Sequence, residues 1–316
     1  MCFLLAAGGC PPGGGSGWGE KGARSFRLKD PELVEASGIA CSLRRSGYFW
    51  IHNDSGGLPR LFAVDERGRT AGTVLLGGVL ALDWEDCALE PPREKGGVPM
   101  LWAGDIGNNL GMPLLKVLYR FPEPYPGKLG KLKGKVLKIP KKEFSVFRCR
   151  FPGGRRDCEC LMVHPLTGIP YLVPAVNGPE AGLFRWPGKL EAGRKVRILE
   201  KAALLRVPLS TPAGRRIRGG DFGPGGKWFV LRSLTHLLIY SFPPVRPGGK
   251  KDSPPVLRPL LVLKAPKEIQ GEGVAVEPGG KALWLCGEGK GSKVIRVPLP
   301  EIRVLSPKPG RPKKKG

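Results

Sequence analysis

The chain has 316 residues, 41% hydrophobic and 25% charged, a balance that supports a sizeable packed core. Its 52 lysines and arginines against 27 aspartates and glutamates give a net charge of +25, which favours polyanionic partners and excludes an acidic, solvating chain. No apolar run is long enough to cross a bilayer as a helix. The 48 glycines and 34 prolines fall between short apolar runs, the pattern of a many-turned all-β protein.

Residues 1–22 open with MCFLLAAGGC and continue into a Pro/Gly/Ser-rich stretch. A short apolar run ending in small residues and a cysteine has the form of the end of a bacterial lipoprotein signal. Cys10 is then the lipidated residue and the following stretch the tether. This predicts an extracytoplasmic protein anchored to the bacterial membrane, with a true start upstream of Met1. If the segment is not a signal remnant, the protein is cytoplasmic.

The body, 23–304, reads as repeats. Ala23 to Leu28 (ARSFRL) is a lone strand. Five units then align on one position: VEASGIACSL at Leu43, DWEDCALEP at Pro91, DCECLMVHP at Pro165, RIRGGDFGP at Pro224 and IQGEGVAVEP at Pro278. Each is followed by a glycine-bearing turn and a second strand (GYFWIHND, PMLWAGD, IPYLVPA, KWFVLRS, KALWLCGE), then by a third (RLFAVDERG, LLKVLYRFPEP, AGLFRWPG, HLLIYSFPP, SKVIRVPLP). Fourth strands are expected at TAGTVLL, GKVLKIP, RKVRILE and RPLLVLKAP. Four antiparallel strands per unit of roughly 50 residues is a propeller blade. The fifth unit lacks a fourth strand, so the N-terminal strand is expected to complete it and close a single all-β, five-bladed propeller. A sixth blade arises only if a degenerate one hides between Tyr125 and Phe151. Glu200 to Arg206 (EKAALLR) is the best helical segment. The lysine-rich piece Gly127 to Lys142 reads as an exposed outer edge strand, where lysine discourages edge pairing, with a dedicated anion-binding patch as the competing reading. The basic tail, 305–316, is disordered by composition. Eight cysteines include no CxxC pair and read as small buried hydrophobes, so no zinc site is indicated.

In an up-and-down blade the start of the first strand and the end of the second meet at one edge, so their residues converge on one face of the disc. First-strand starts supply Glu35, Asp83, Glu85, Asp157, Glu159 and Glu272, with Asp221 further along its strand. Second-strand ends supply His52, Asn53, Asp54, Asp105, Asn108, Asn109, Asn177, His236 and Glu288. Crowded carboxylates need neutralising, and an oxygen-rich ring suits a hard divalent cation, Ca2+ above others. The expected ligands are Glu35, Asp54, Glu85, Asp105, Glu159, Asp221 and Glu272. The competing reading has the acids capping turns or pairing with arginines such as Arg155, Arg156 and Arg218.

The segments EASGIA, HNDSG, DWED, GDIGNN, DCEC, GGDFGP and QGEGVAV resemble a family of mostly uncharacterised bacterial propeller proteins, many of them exported; the likeness covers roughly Glu35 to Gly289. Family members commonly carry Asp where this chain has Asn108 and Ala where it has Cys158 and Cys160. More distantly, the acid-then-apolar repeat is similar to calcium-dependent apyrase, a five-bladed nucleotidase, and to six-bladed sugar-lactone hydrolases.

Three functions follow as expectations. The first is a noncatalytic envelope module, monomeric, binding a small-molecule or protein ligand over a calcium-bearing mouth, with an anionic envelope surface as a further partner. The second is a metal-dependent hydrolase of phosphate or ester substrates, with Asp54, Asp105 or Glu159 as ligands and His52 or His236 as general base. The third, nucleic-acid binding, ranks last because no aromatic-basic motif accompanies the charge. No nucleophile elbow, phosphate loop or dinucleotide fingerprint is present.

Overall fold

The computed structural model describes residues 24–55, 57–108, 115–242 and 254–302. Cys10 with the rest of the N-terminal segment, Asn109 and the basic tail lie outside them. Five sheets make five blades, and the chain builds them in order. β1 (Arg24–Arg27) is followed by blade 1: β2 (Ala36–Cys41), β3 (Tyr48–Asn53), β4 (Arg60–Asp65) and β5 (Thr70–Leu76). Blade 2 begins with β6 (Trp84–Glu90), β7 (Met100–Asp105) and β8 (Lys116–Pro122); β9 (Val136–Ile139) then returns to pair parallel with β5 before β10 (Ser145–Arg150) completes the blade. Blade 3 repeats the move. After β11 (Cys158–Val163), β12 (Pro170–Pro174) and β13 (Glu180–Arg185), β14 (Val196–Ile198) pairs parallel with β10, and β15 (Glu200–Arg206) completes the blade. In blade 4, β16 (Ile217–Phe222), β17 (Trp228–Ser233) and β18 (His236–Ser241) precede β19 (Val256–Leu257), which joins β15, and β20 (Pro259–Lys264). Blade 5 is β21 (Gly271–Val276), β22 (Ala282–Gly287) and β23 (Lys293–Pro298), with β1 as its fourth strand.

Ring closure by the N-terminal strand and the count of five therefore hold. Tyr125 to Phe151 holds no extra blade; it holds a one-turn helix, two 3₁₀ turns, β9 and β10. Three expectations are corrected. Glu200 to Arg206 is a strand because β13 pairs along its length and β19 adds a short parallel pairing at Leu204 and Leu205, and tertiary pairing overrides a weak helical propensity. GKVLKIP and RKVRILE are not fourth strands of their own blades but fifth, parallel strands laid on the preceding blade. The lysine-rich piece does end in an outermost strand, β9 of blade 1.

Burial follows distance from the axis. β2, β11 and β21 are buried at every residue, whereas outermost β20 alternates half-buried and exposed. The apolar core divides into five clusters, one per seam between neighbouring blades, such as Trp50, Leu61, Trp84 and Tyr119 between blades 1 and 2. Each fully buried Leu, Ile, Val or Phe contributes about 1.5–3 kcal/mol, so the seams dominate stability.

The closing pair is unusual in its charges. Arg24 lies opposite Arg296, and Arg27 opposite Lys293, like charges that oppose pairing. Phe26 offsets them by packing against Phe49 and Trp284, with ring centroids 5.7 and 6.0 Å away. Phe26→Ala should therefore cost about 2 kcal/mol, and Arg24→Glu should gain about 0.5 kcal/mol by reversing a like-charge pair, both read from denaturant unfolding midpoints.

Candidate functional site at one mouth of the ring

First strands contact the first strands of both neighbouring blades, so β2, β6, β11, β16 and β21 surround the axis. All five run the same way, which places their starts at one end. In every blade the register between first and second strand slips at that start: between Ala36 and Ile39, Trp84 and Asp86, Cys158 and Leu161, Ile217 and Gly219, and Gly271 and Val274. A β-bulge re-aims the side chain of the extra residue. The slipped segments contain Ser37, Glu85, Glu159, Arg218 and Glu272, each six residues before its unit's anchor.

Two residues earlier in each unit stand Glu35, Asp83, Asp157, Arg216 and Gln270. Going round the ring, blades 1 to 5 thus contribute Glu-x-Ser, Asp-x-Glu, Asp-x-Glu, Arg-x-Arg and Gln-x-Glu. The two arginines of blade 4 neutralise their neighbours. Arg216 reaches Asp157 at 2.7 Å and Glu159 at 2.6 Å; Arg218 reaches Glu159 at 2.7 Å on one side and Glu272 at 3.4 Å on the other. Burial raises the Glu159 carboxyl, and Arg218 and Arg216 oppose it. Glu272 is pushed up to about 7, by burial first, against the pull of Arg218.

On the other half of the ring the acids crowd one another. Asp54, at the end of β3, meets Asp83 and Glu85 with carboxylate oxygens within 4.8 Å of one another. Glu85 is 6% exposed, and its carboxylate takes no hydrogen bond or ion pair among the described residues. Burial, then Asp54, Glu159 and Asp83, push it up to about 11. Gly107 makes this approach feasible, since a Cβ there would stand 2.0 Å from a Glu85 oxygen and 2.3 Å from one of Asp83. Asn108, next in sequence, has its amide oxygen buried without a hydrogen-bond partner among the described residues. Fully buried Lys116 donates from Nζ to the Gly107 carbonyl at 2.5 Å and fixes the loop; burial pulls its ammonium down.

The expected ligands therefore separate. Asp54 and Glu85 come together, joined by Asp83; Glu159 and Glu272 face arginines. Glu35 abuts Asp54, whose backbone N–H donates to the Glu35 carbonyl at 2.8 Å. Asp105 has both oxygens on backbone N–H groups of Leu82 and Asp83 and so shapes the Asp83 loop. Asp221 clasps Phe222 N–H and, across the seam to blade 5, Val276 N–H, each at 2.8 Å. His52 is fully buried between Gly38 and Trp84; its Nδ1 lies 2.8 Å from the Asn53 carbonyl, and burial pushes it down to about 4. His236 opens β18 in blade 4 with Nδ1 2.8 Å from Thr235 Oγ1. Asp83 was expected at this face and Arg218 as a partner of its acids, and both stand there; Arg216, Gly107 and Lys116 were not expected. Counting eight back from Pro224, as from Pro91, finds Arg216; Lys116 left no signal beyond being one of two cations in a mostly apolar strand.

No family model matches the sequence, and no curated protein matches it. Solved structures with related architecture include U3-55K (TM-score 0.40, 11% identity, 84% of this chain and 68% of that one) and the RRP9 WD40 repeats (0.40, 12%, 84% and 67%). A chain of the mitotic checkpoint complex gives 0.39 at 12% identity, over 81% of this chain and 60% of that one. Likeness at this level carries no argument about activity or partner.

Arg218→Met would leave Glu159 and Glu272 buried and short of a counter-charge, at a cost of about 3 kcal/mol near neutral pH. Both carboxyls are already raised, so the loss should shrink as pH falls and they take up protons. Unfolding midpoints of variant and wild type between pH 5 and pH 8 check the sign.

Proposed function

We propose that the protein is a cation-binding propeller, with Ca2+ seated by Asp54, Asp83 and Glu85, whose mouth presents a ligand- or partner-binding surface. An extracytoplasmic setting with anchorage through Cys10 belongs to the same proposal. One observation carries it: the Glu85 carboxylate is buried, takes no hydrogen bond or ion pair among the described residues, and is crowded by Asp54 and Asp83. Such a group either holds a proton to high pH or holds a cation. The donors are all oxygen, with the Asn108 amide oxygen close in sequence, which suits a hard ion of flexible, high coordination. Arg216 and Arg218 pair with Asp157, Glu159 and Glu272, so the cation is proposed for the other acids of the mouth.

Binding is favoured over turnover. A hydrolase would use a base beside the ion, while His52 is sealed in the seam between blades 1 and 2 and His236 belongs to blade 4.

Metal content of the dialysed protein, with thermal melting in EDTA and in calcium, tests this reading. Calcium at 100 times Kd should stabilise by about 2.7 kcal/mol, and Glu85→Gln should abolish the response. A metal-free protein whose melting ignores both additions would overturn it. The pH dependence gives a second check. In the metal-free protein Glu85 has a folded pKa far above its unfolded value of about 4.5, so its contribution is full at low pH and is lost as pH rises toward about 11. Glu85→Gln should therefore gain stability relative to metal-free wild type as pH rises from 5 to 9, measured by urea unfolding.

A further inference from the structure

The outer rim of blades 1 and 2 carries a second surface that owes nothing to the mouth. Residues 126–150 and 189–197 hold thirteen lysines and arginines against two glutamates, Glu143 and Glu191, and Glu191 is paired with Arg197. The fold gathers these residues. β9 is the outermost strand of blade 1, β14 the outermost strand of blade 2, and the chain passes from β9 to β10 through the turn Lys141–Glu143. Between β10 and the loop before β14 lies a cleft of about 370 Å³, lined by Lys141, Ser145, Arg148 and Arg194 over an apolar floor that includes Phe144 and Val146. Arg148 is held by the Gly193 carbonyl at 2.7 Å, and Lys141 and Arg194 have no ion pair among the described residues.

Protection of a sheet edge accounts for lysines flanking β9. It does not account for what stands among them. Leu132, Val136, Val196 and Ile198 are exposed by 37–49%, on both neighbouring rims and interleaved with the cations. Aliphatic side chains left in water beside lysines are a liability on an ordinary surface, and they fit a surface that is polyanionic outside and apolar just beneath. A nucleic acid would instead favour exposed aromatics for stacking; the phenylalanines here, Phe144 and Phe147, are buried.

We propose that the rim of blades 1 and 2 is a peripheral docking surface for an anionic lipid bilayer. Lysines of the β9 segment engage lipid phosphates, the exposed aliphatics enter the headgroup layer, and the cleft at Lys141, Arg148 and Arg194 seats one phosphate. The mouth, on the axis, stays free for its own ligand.

The full chain is tested by co-sedimentation, in EDTA, with vesicles of phosphatidylcholine alone or with about 30 mol% phosphatidylglycerol. Wild type should bind the anionic vesicles, and a variant with Lys131→Glu, Lys133→Glu and Lys138→Glu should bind at least about tenfold more weakly. All three are exposed, so melting should not change. Leu132→Ser with Val136→Ser should leave low-salt binding and lose the part that survives raised salt. Lys313→Gln, Lys314→Gln and Lys315→Gln together control for the basic tail and should retain the rim-dependent binding. Equal binding to neutral vesicles, loss with the tail variant but not the rim variant, or rim-dependent binding to a DNA duplex with none to vesicles would each overturn the proposal.

Discussion

Everything at the axis depends on one backbone irregularity made five times. A regular first strand would alternate its side chains between the two seams it separates. The bulge at each strand's start breaks that alternation and frees one residue per blade for the axis. Once five such residues share a narrow space their charges must be settled together, because no blade can place its residue independently of its neighbours. Three glutamates, a serine and an arginine settle only partly. Arg218 lies between Glu159 and Glu272 and serves both, while Ser37 spends its hydroxyl on the Glu85 carbonyl at 2.6 Å and gives nothing to the Glu85 carboxylate. The asymmetry of the mouth follows from which blade carries the arginines.

The same strands also specify who sits beside whom. Asp86 of blade 2 accepts the Leu161 N–H of blade 3 at 2.9 Å, Asp221 of blade 4 accepts from blade 5, and fully buried Arg232 of blade 4 donates to the Gly273 and Cys286 carbonyls of blade 5. Glu123 of blade 2 takes the Trp50 indole N–H and the Ser42 hydroxyl of blade 1. Apolar seams would tolerate several angular arrangements; buried polar groups bound to fixed partners on the next blade do not. Hub acids such as Asp86 and Asp221 are thus structural, although they share a sequence neighbourhood with Glu85.

The fold was legible because a propeller repeats. Anchors at Pro91, Pro165, Pro224 and Pro278 fixed the blades, and the missing fourth strand of the last unit fixed the closure. The fourth strands of blades 2 and 3 were misplaced because the chain visits the neighbouring rim first, and a parallel fifth strand has the same alternating pattern as an antiparallel fourth. The site was legible to the level of which strand ends converge. Which acids meet was not, because the bulge shifts facing by one residue, and because Asp105 and Asp221 each spend their carboxylates on two backbone N–H groups, which no residue type announces. Arg218 was legible as one of several partners for the acids, but that it serves Glu159 and Glu272 together appears only when it is placed at the repeat position of Glu85.

The strands that return to a neighbouring rim make the ring unequal around its circumference. Blades 1 and 2 are stitched at the rim by β9, blades 2 and 3 by β14, and blades 3 and 4 by β19. Blade 5 has no crossing strand on either side among the described residues: β20 ends the sheet of blade 4, and β1 ends that of blade 5, each as an outermost strand. The seam between blades 4 and 5 is held by its apolar cluster, by the hub clasps of Asp221 and Arg232 and by the Arg218–Glu272 pair. A closed circle under thermal stress parts at its least-sewn join, so the first excursion from the native ring is a hinge there: blades 1 to 4 swing as one stiff arc, and blade 5 leaves with the N-terminal strand that completes it.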